Sequence, residues 1–542
     1  MLRRFRLWHL VVILLSILVL SVGLLQASPT DAVVGDGTPT SCDASALEAA
    51  LAGGGTVTFN CGLDPLTIAV NTMVIETGVR LDGDNLITLW GEGLRQIFIV
   101  NQGASLFLKN ITLTDGYWEG NGGAIANYGN LVVQNSFIYN SVAAGEASRG
   151  GAIYNEGGAV TLRVSSLISN RAGRFGGGIA SSGGTVDIFS STIQENHAPT
   201  GGGGLWNADT DVTIEDSHIT ENSTFSDSTG NFGGALYNVG QMIVRRSAID
   251  YNSATDGGGI YNQGAHSSLT VEDSTLNANS VTGGAGALQL GDGTIRIVNT
   301  TVSGNSAGIF AGGVEVGATN GSQTFQNVTI TGNSAPEAAN FYQDTGELIL
   351  SPSLRNVIIA NPLGGGVNCA YLRADASLGN NLASDESCNF TAAGDQQPVD
   401  PFLAALADNG GPTLTHLPTG DSPAIDAGDN ATCPAADQRG YTRPEGDICD
   451  IGAVDADGEL NPATATPTET PTKTPTPTAT PTVPTATPTV PTATATPTSV
   501  VTPNTLNYTA YAIEITQGIQ DLNNTVPLIR GKTAWVRAYV RR

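Results

Sequence analysis

Between about residues 105 and 361, apolar and polar residues alternate in short runs, as in Leu269-Thr270-Val271-Glu272. A period of two predicts strands with one face turned inward, and the 3.6-residue period of a helix is missing. The runs end within a few residues at Gly, Asn or Asp, so the predicted strands are short. Two signatures recur between them. The first is Gly-Gly-(Ala/Gly)-(Ile/Leu)-x-Asn: GGAIAN ends at Asn127, GGAIYN at Asn155, GGGLWN at Asn207, GGALYN at Asn238 and GGGIYN at Asn262. Weaker copies end at Ser181, Leu290 and Val316. The second is an apolar anchor followed closely by Asn. The anchors are Leu113, Ile138, Ile168, Ile193, Ile219, Ile249, Leu276, Val302, Ile330 and Ile358; the asparagines include Asn140, Asn170, Asn196, Asn222, Asn252, Asn279, Asn305 and Asn333.

The unit returns about every 27 residues, which is a solenoid period. It holds about three short strands and has no room for a crossover helix. The pattern therefore predicts an all-β, right-handed parallel β-helix of about 10–13 coils. Anchors stack inside, corner asparagines bond their neighbours one coil away, and glycines supply the turn angles. A solenoid end exposes unpaired strand edges. Asp43 to Leu51 (DASALEAAL) predicts a short amphipathic helix covering the N-terminal end, with Asp43 or Ser41 as its N-cap.

The rest of the chain divides by composition. Arg3, Arg4 and Arg6 precede an apolar run from Leu10 to Leu25, which reads as a signal peptide (1–27) cut after Ala27. Residues 28–70 are expected to form the N-terminal cap and first strand, 71–362 the β-helix, and 363–457 a small disulfide-containing module. A Thr/Pro-rich spacer fills 458–504. Residues 505–542 alternate like strands, as in Trp535 to Val540, and read as the start of a further, truncated β domain. The six cysteines allow 15 pairings. The local pairs Cys42 and Cys61, Cys369 and Cys388, Cys433 and Cys449 are favoured by their short separations. They suit an exported protein, secreted or held at a bacterial cell surface.

Only 13% of residues are charged, and the formal net charge is −26. Low charge fits a stack in which like charges would meet at every coil. The acidic balance excludes nucleic acid and anionic membrane as partners, since both require Lys and Arg.

GGAIYN followed by Ile-x-x-Asn resembles the repeats of polymorphic outer-membrane proteins and other pectin-lyase-like β-helices. That resemblance implies a surface-exposed or secreted protein, in many cases an adhesin. Leu406 to Thr413 (LADNGGPT), Ser422 to Gly428 (SPAIDAG), Asp437 to Gly440 (DQRG) and Cys449 to Ala453 (CDIGA) resemble the choice-of-anchor Q domain. This second resemblance implies attachment through an anchor, here expected from sequence beyond Arg542.

The fold also hosts polysaccharide lyases and glycoside hydrolases, so carboxylates and bases that share a column on successive coils are candidate site residues. Asp216, Arg246 and Asp273 occupy one column, three residues before consecutive anchors, and Glu215, Arg245 and Glu272 the column beside it. A lyase would use Arg246 as base, with the carboxylates holding Ca²⁺. An arginine between carboxylates is held protonated, so a charge ladder that fixes register is the expectation. Glu195 and Glu221 share a position on adjacent coils and would suit a retaining glycosidase. Exposed turns flank both, so solvated surface is expected. The elbow-like Gly304-Asn305-Ser306-Ala307-Gly308 is explained by the repeat. The five histidines show neither metal spacing nor a shared partner. The calcium nonapeptide GGxGxDxUx is absent, so no cofactor is expected, although isolated Asp turns leave Ca²⁺ open. The variable position of GG(A/G)(I/L)-x-N carries Tyr154, Trp206, Tyr237 and Tyr261, an aromatic column expected to face outward and to stack glycan rings or a partner protein. The expected function is a non-catalytic β-helical stalk presenting this face to glycan or protein. The alternative is a lyase or glycosidase of the same fold.

Overall fold

A computed structural model describes residues 30–225, 230–444, 446–456, 509–516 and 535–541. The expected signal segment (1–27) and spacer (458–504) lie outside the described residues. The chain divides into two units between Pro467 and Thr468. In the second unit, Thr509–Thr516 and Trp535–Arg541 pair antiparallel.

The first unit is a parallel β-solenoid of about 13 turns. One coil illustrates the construction. The strand Leu205–Ala208 pairs with Leu236–Asn238 of the next coil, Asp211–Glu215 with Gln241–Arg245, and His218–Thr220 with Ala248–Asp250, all in parallel. Inward residues of each strand are buried: Leu205, Val212, Ile214 and Ile219 are at most 2% exposed. At about 25 cal/mol per Å² of apolar surface removed from water, this continuous core is the main stabilising term.

Two columns of left-handed corners separate the strands. In one, Asn135, Val164, Ser190, Asp216, Arg246, Asp273 and Asn299 have φ between 44° and 51°. In the other, Asn140, Ser169, Glu195, Glu221, Tyr251 and Ala278 have φ between 53° and 57°. Asn and Asp tolerate this region best among residues with a Cβ. The column of acidic and basic residues noted in the sequence is therefore a column of turn positions. Behind the second corner runs a buried asparagine ladder. The amides of Asn170, Asn196, Asn222, Asn252, Asn279 and Asn305 each donate to the next Oδ1 at 2.9–3.0 Å.

The ladder corrects three expectations from the sequence. Asn140 lies at the exposed corner, and Ser141 meets Asn170 in its place. The core anchor in Ser166–Ile168 is Leu167, paired with Ile138 and Ile193, rather than Ile168. In Ile358–Ala360 the anchor is Ile359, paired with Ile330. An inward residue three before the ladder position is what this corner requires.

The first glycine of the GG signature has positive φ, for example 70° at Gly150. The second has no room for a side chain, since a Cβ on Gly151 would lie 2.2 Å from the Gly177 carbonyl oxygen. Over the N-terminal end, the helix Ala44–Leu51 buries Leu47, Ala50 and Leu51, and Asp43 caps it by accepting from the Ala46 amide at 2.8 Å. The Cys42–Cys61 disulfide ties it to the first coil; Cys369–Cys388 and Cys433–Cys449 complete the three local pairs.

The solenoid continues past the boundary expected at residue 362, because Val367–Ala370 pairs with Ala338–Gln343 and Leu382–Ala383 with Ile358–Ala360. Residues 400–444 and 446–456 then turn back as a strap along the flank. Thr275 donates to the Leu414 carbonyl at 2.6 Å, Thr301 to Gln438 at 2.6 Å, and the Ala453 amide to Thr329 at 3.0 Å. Ile358 packs with Ala424 and Ile451 of the strap. Beneath it, Arg439 pairs with Asp437 at 2.8 Å and Arg443 with Asp455 at 3.5 Å, their side chains at most 6% exposed. The DQRG signature supplies the first of these pairs, and Arg443, outside both DQRG and CDIGA, also donates to Asn299 of the solenoid at 3.1 Å. Among the described residues no helix is long and apolar enough to cross a membrane.

Candidate functional site

The strap stops partway along the rod, and a groove opens where its edge meets uncovered coils. Two contiguous recesses of about 460 and 280 Å³ share His218, Ala248 and Pro412. Their floor is the outward row of the three-residue strands: Thr192, His218, Ala248 and Thr275 occupy matching positions on successive coils. Gly411–Leu414 forms the wall.

His218 Nε2 lies 2.8 Å from Asp250 Oδ1, with side chains 47% and 16% exposed. The hydrogen bond to Asp250 raises the His218 pKa. No local pattern signals this pair, because its members are 32 residues apart and meet diagonally across adjacent coils. An imidazole paired with a carboxylate can bind or transfer a proton.

Arg246, at the edge of the groove, donates to both oxygens of Asp216, at 2.7 and 3.0 Å, and to Glu215 at 3.3 Å. Arg245 lies between Glu272 at 2.8 Å and Glu215 at 3.5 Å. Hydrogen bonds to Asp216 and Glu272, respectively, raise the pKa of the two arginines, so neither is disposed to act as a base. The ladder departs from the expected alternation at Asp273. This carboxylate accepts from Asn299 at 3.1 Å rather than from Arg246, and burial first of all raises its pKa to about 6.

Glu195 and Glu221 occupy exposed corners. Gln194 donates to Glu221 at 2.7 Å and to Glu195 at 3.3 Å, while Ser169 donates to Glu195 at 2.9 Å. They share no recess with the groove.

The aromatic column requires a correction. Tyr154 and Trp206 are 4% and 7% exposed, not open to solvent, and Ala180 separates them in register. Residues ahead of the GG signature fold over the column. Phe175 stacks on Trp206 with centroids 5.0 Å apart, and the Arg149 guanidinium lies 4.7 Å from the Trp206 ring. Phe232 stacks on Tyr261 at 4.6 Å, and Tyr237 meets Tyr261 edge-on at 4.9 Å. The outer surface is therefore a strip of half-buried rings, Phe175, Phe232, Tyr237 and Tyr261.

Among the described residues no group of three or more His, Cys, Asp or Glu side chains is arranged to hold a metal ion. No family model, curated protein or solved structure matches this chain.

Proposed function

We propose that the protein is a non-catalytic stalk of the cell exterior, adhesin-like, whose flank binds an extracellular glycan or a surface protein. The proposal includes export, a pectin-lyase-like β-helix with repeats of the polymorphic outer-membrane-protein kind, and a strap of the choice-of-anchor Q kind. Three disulfides are compatible with that location. The observation that carries the binding role is the aromatic strip. Its rings span four coils, with Gly201 standing between Phe175 and Phe232 in register; they are edged by Arg149 and Arg174, and an extended ligand lying along the rod would contact several at once. Aromatic surface of this type is where interfaces concentrate their energy.

Glycan-array and cell-binding measurements on the double variant Phe175→Ser, Phe232→Ser test this reading. These rings sit in the segments before the GG signature, so the strands beneath are preserved. Binding is expected to fall at least tenfold with the melting temperature little changed; undiminished binding would remove the strip from the proposal.

The His218–Asp250 pair favours a second reading, a polysaccharide lyase or glycoside hydrolase acting in the groove beside Arg246. Release of unsaturated products or new reducing ends from acidic polysaccharides, lost in His218→Gln with the fold intact, would replace the first reading by the second.

A further inference from the structure

Basic side chains are scarce in this acidic chain, and most of them are paired. Between residues 30 and 456 there are 14 Lys and Arg. Nine stand in ion pairs: Arg95, Lys109, Arg245, Arg246, Arg296, Arg355, Arg373, Arg439 and Arg443. Of the other five, Arg80 and Arg163 lie singly over Phe107 and Phe189. Arg149, Arg171 and Arg174 gather on two neighbouring coils at one end of the aromatic strip. Among the described residues none of these three guanidinium groups has a carboxylate or hydrogen-bond partner. Glu146 and Glu156, the carboxylates nearest to Arg149 in sequence, pair with none of them.

The rings beneath hold two of the three in place. Phe175 and Trp206 stack with centroids 5.0 Å apart and planes 19° from parallel. Arg149 lies 4.7 Å from the Trp206 centroid and 5.9 Å from that of Phe175, and Arg174 lies 4.9 Å from Phe175. Two guanidinium groups therefore rest on one two-ring platform, with the exposed Arg171 three residues before Arg174. A ring engages the face of a guanidinium and leaves the N–H donors at its edge free. A planar fork fixed in this way loses little freedom when it meets an anion.

We infer that Arg149 and Arg174, with Arg171 beside them, form a site for the sulfate esters of a glycan lying on the strip. The inference rests on the strip being the binding surface and names the chemistry of its ligand. A sulfate ester presents three terminal oxygens, enough for two forks at once, whereas the two oxygens of a carboxylate are matched by a single fork. The far end of the strip gives the surface a polarity. There Tyr261 lines a recess with Asp292 and Asp344 and with no Lys or Arg, which repels a sulfate. The anionic groups of the ligand thus seat on the coils of Tyr154 and Ala180, and its uncharged sugar faces run toward Tyr237 and Tyr261.

Titration of the immobilised full chain with two heparin preparations tests the assignment. One is native; the other has lost its N- and O-sulfates and been re-acetylated, which keeps its carboxylates. Native heparin is expected to bind about tenfold or more tightly, and Arg149→Gln with Arg174→Gln to remove that preference. Arg174→Gln alone, at an exposed position, reads the same loss without disturbing the platform. Phe232→Ser should weaken both preparations alike. Equal affinity for the two preparations overturns the inference and leaves the strip reading standing. A preference that survives the double variant also overturns it, because the sulfates would then be bound by other cations, such as those at Arg530 to Arg542. Equal binding of poly-glutamate, or no binding of either heparin, overturns it too.

Discussion

Replacing Asn252 by alanine removes one rung of the buried ladder. Its amide donates to the carbonyls of Ile219 at 2.9 Å and Asp250 at 2.8 Å and to Asn279 Oδ1 at 3.0 Å. Its Oδ1 accepts from the Asn222 backbone at 2.9 Å and from the Asn222 amide at 3.0 Å. In the alanine variant the Asn222 backbone N–H loses its acceptor in a place no water reaches, a cost of about 1–3 kcal/mol. The remaining bonds contribute about 0.5–1.5 kcal/mol each at most, and they overlap at shared atoms. A total near 4 kcal/mol is expected, read as a lowered denaturant midpoint. Asn140→Ala is the matched control: that side chain is exposed at its corner, and its removal should cost about 1 kcal/mol or less. Asn252→Asp adds a sign. A carboxylate there would face the same three acceptors, so its folded pKa would rise above the unfolded value. The variant would therefore lose stability as pH rises and regain part of it on acidification. A cost below about 1 kcal/mol for Asn252→Ala, or equality with Asn140→Ala, would refute the ladder as a major source of stability.

Three further outcomes follow from features elsewhere in the rod. Ala285 and Ala311 stand where other coils have the first glycine and keep positive φ of 62° and 54°; Ala285→Gly with Ala311→Gly should stabilise by about 1 kcal/mol in thermal melts, since alanine is disfavoured in that region. Burial holds the Asp273 pKa near about 6, above its ordinary 3.8, so stability contributed by its neutral form is present below about pH 4 and lost as pH rises to about 6; melts across that range should show the decline shrinking in Asp273→Asn. Replacing Cys369 and Cys388 by serine should lower stability by about 3 kcal/mol, the loop-closure value for their separation of 19 residues, with fraying at the last coils read by hydrogen exchange.

The coil count and cap were legible because the repeat fixes a period and each copy restates the same inward positions. Doublets were harder. In Leu167-Ile168 the three-residue step to Asn170 decides between two suitable anchors, whereas in Ile358-Ile359 that step falls on Pro362 and only the register with Ile330 decides. Coil length varies in the segment before the GG signature, so matching residues across coils needs the register itself. His218 and Asp250 stand one before and one after successive anchors, Ile219 and Ile249, so a comparison of matching positions does not join them, while Glu215, Arg245 and Glu272 share one position. Exposure of the aromatic column was misjudged for a related reason: alternation says which side of a strand a ring takes, but not that Phe175 and Phe232 fold back over it. The strap was visible only as short motifs such as DQRG; that its charges would be buried against the solenoid flank required long-range packing no local pattern carries.

The route by which the chain leaves the solenoid has a mechanical consequence. Ala456 is fastened to Asp450 at 2.7 Å, beside strap residues bonded to Thr329 and Asn356 on the flank. Tension arriving from the residues beyond would enter the rod from its side rather than peel its final coil. It would load the hydrogen bonds to Thr275, Thr301, Thr329 and Asn356 together, in shear, so that they yield jointly instead of one after another. For the stalk proposed above, joint shear of this kind would resist drag where zipping would not.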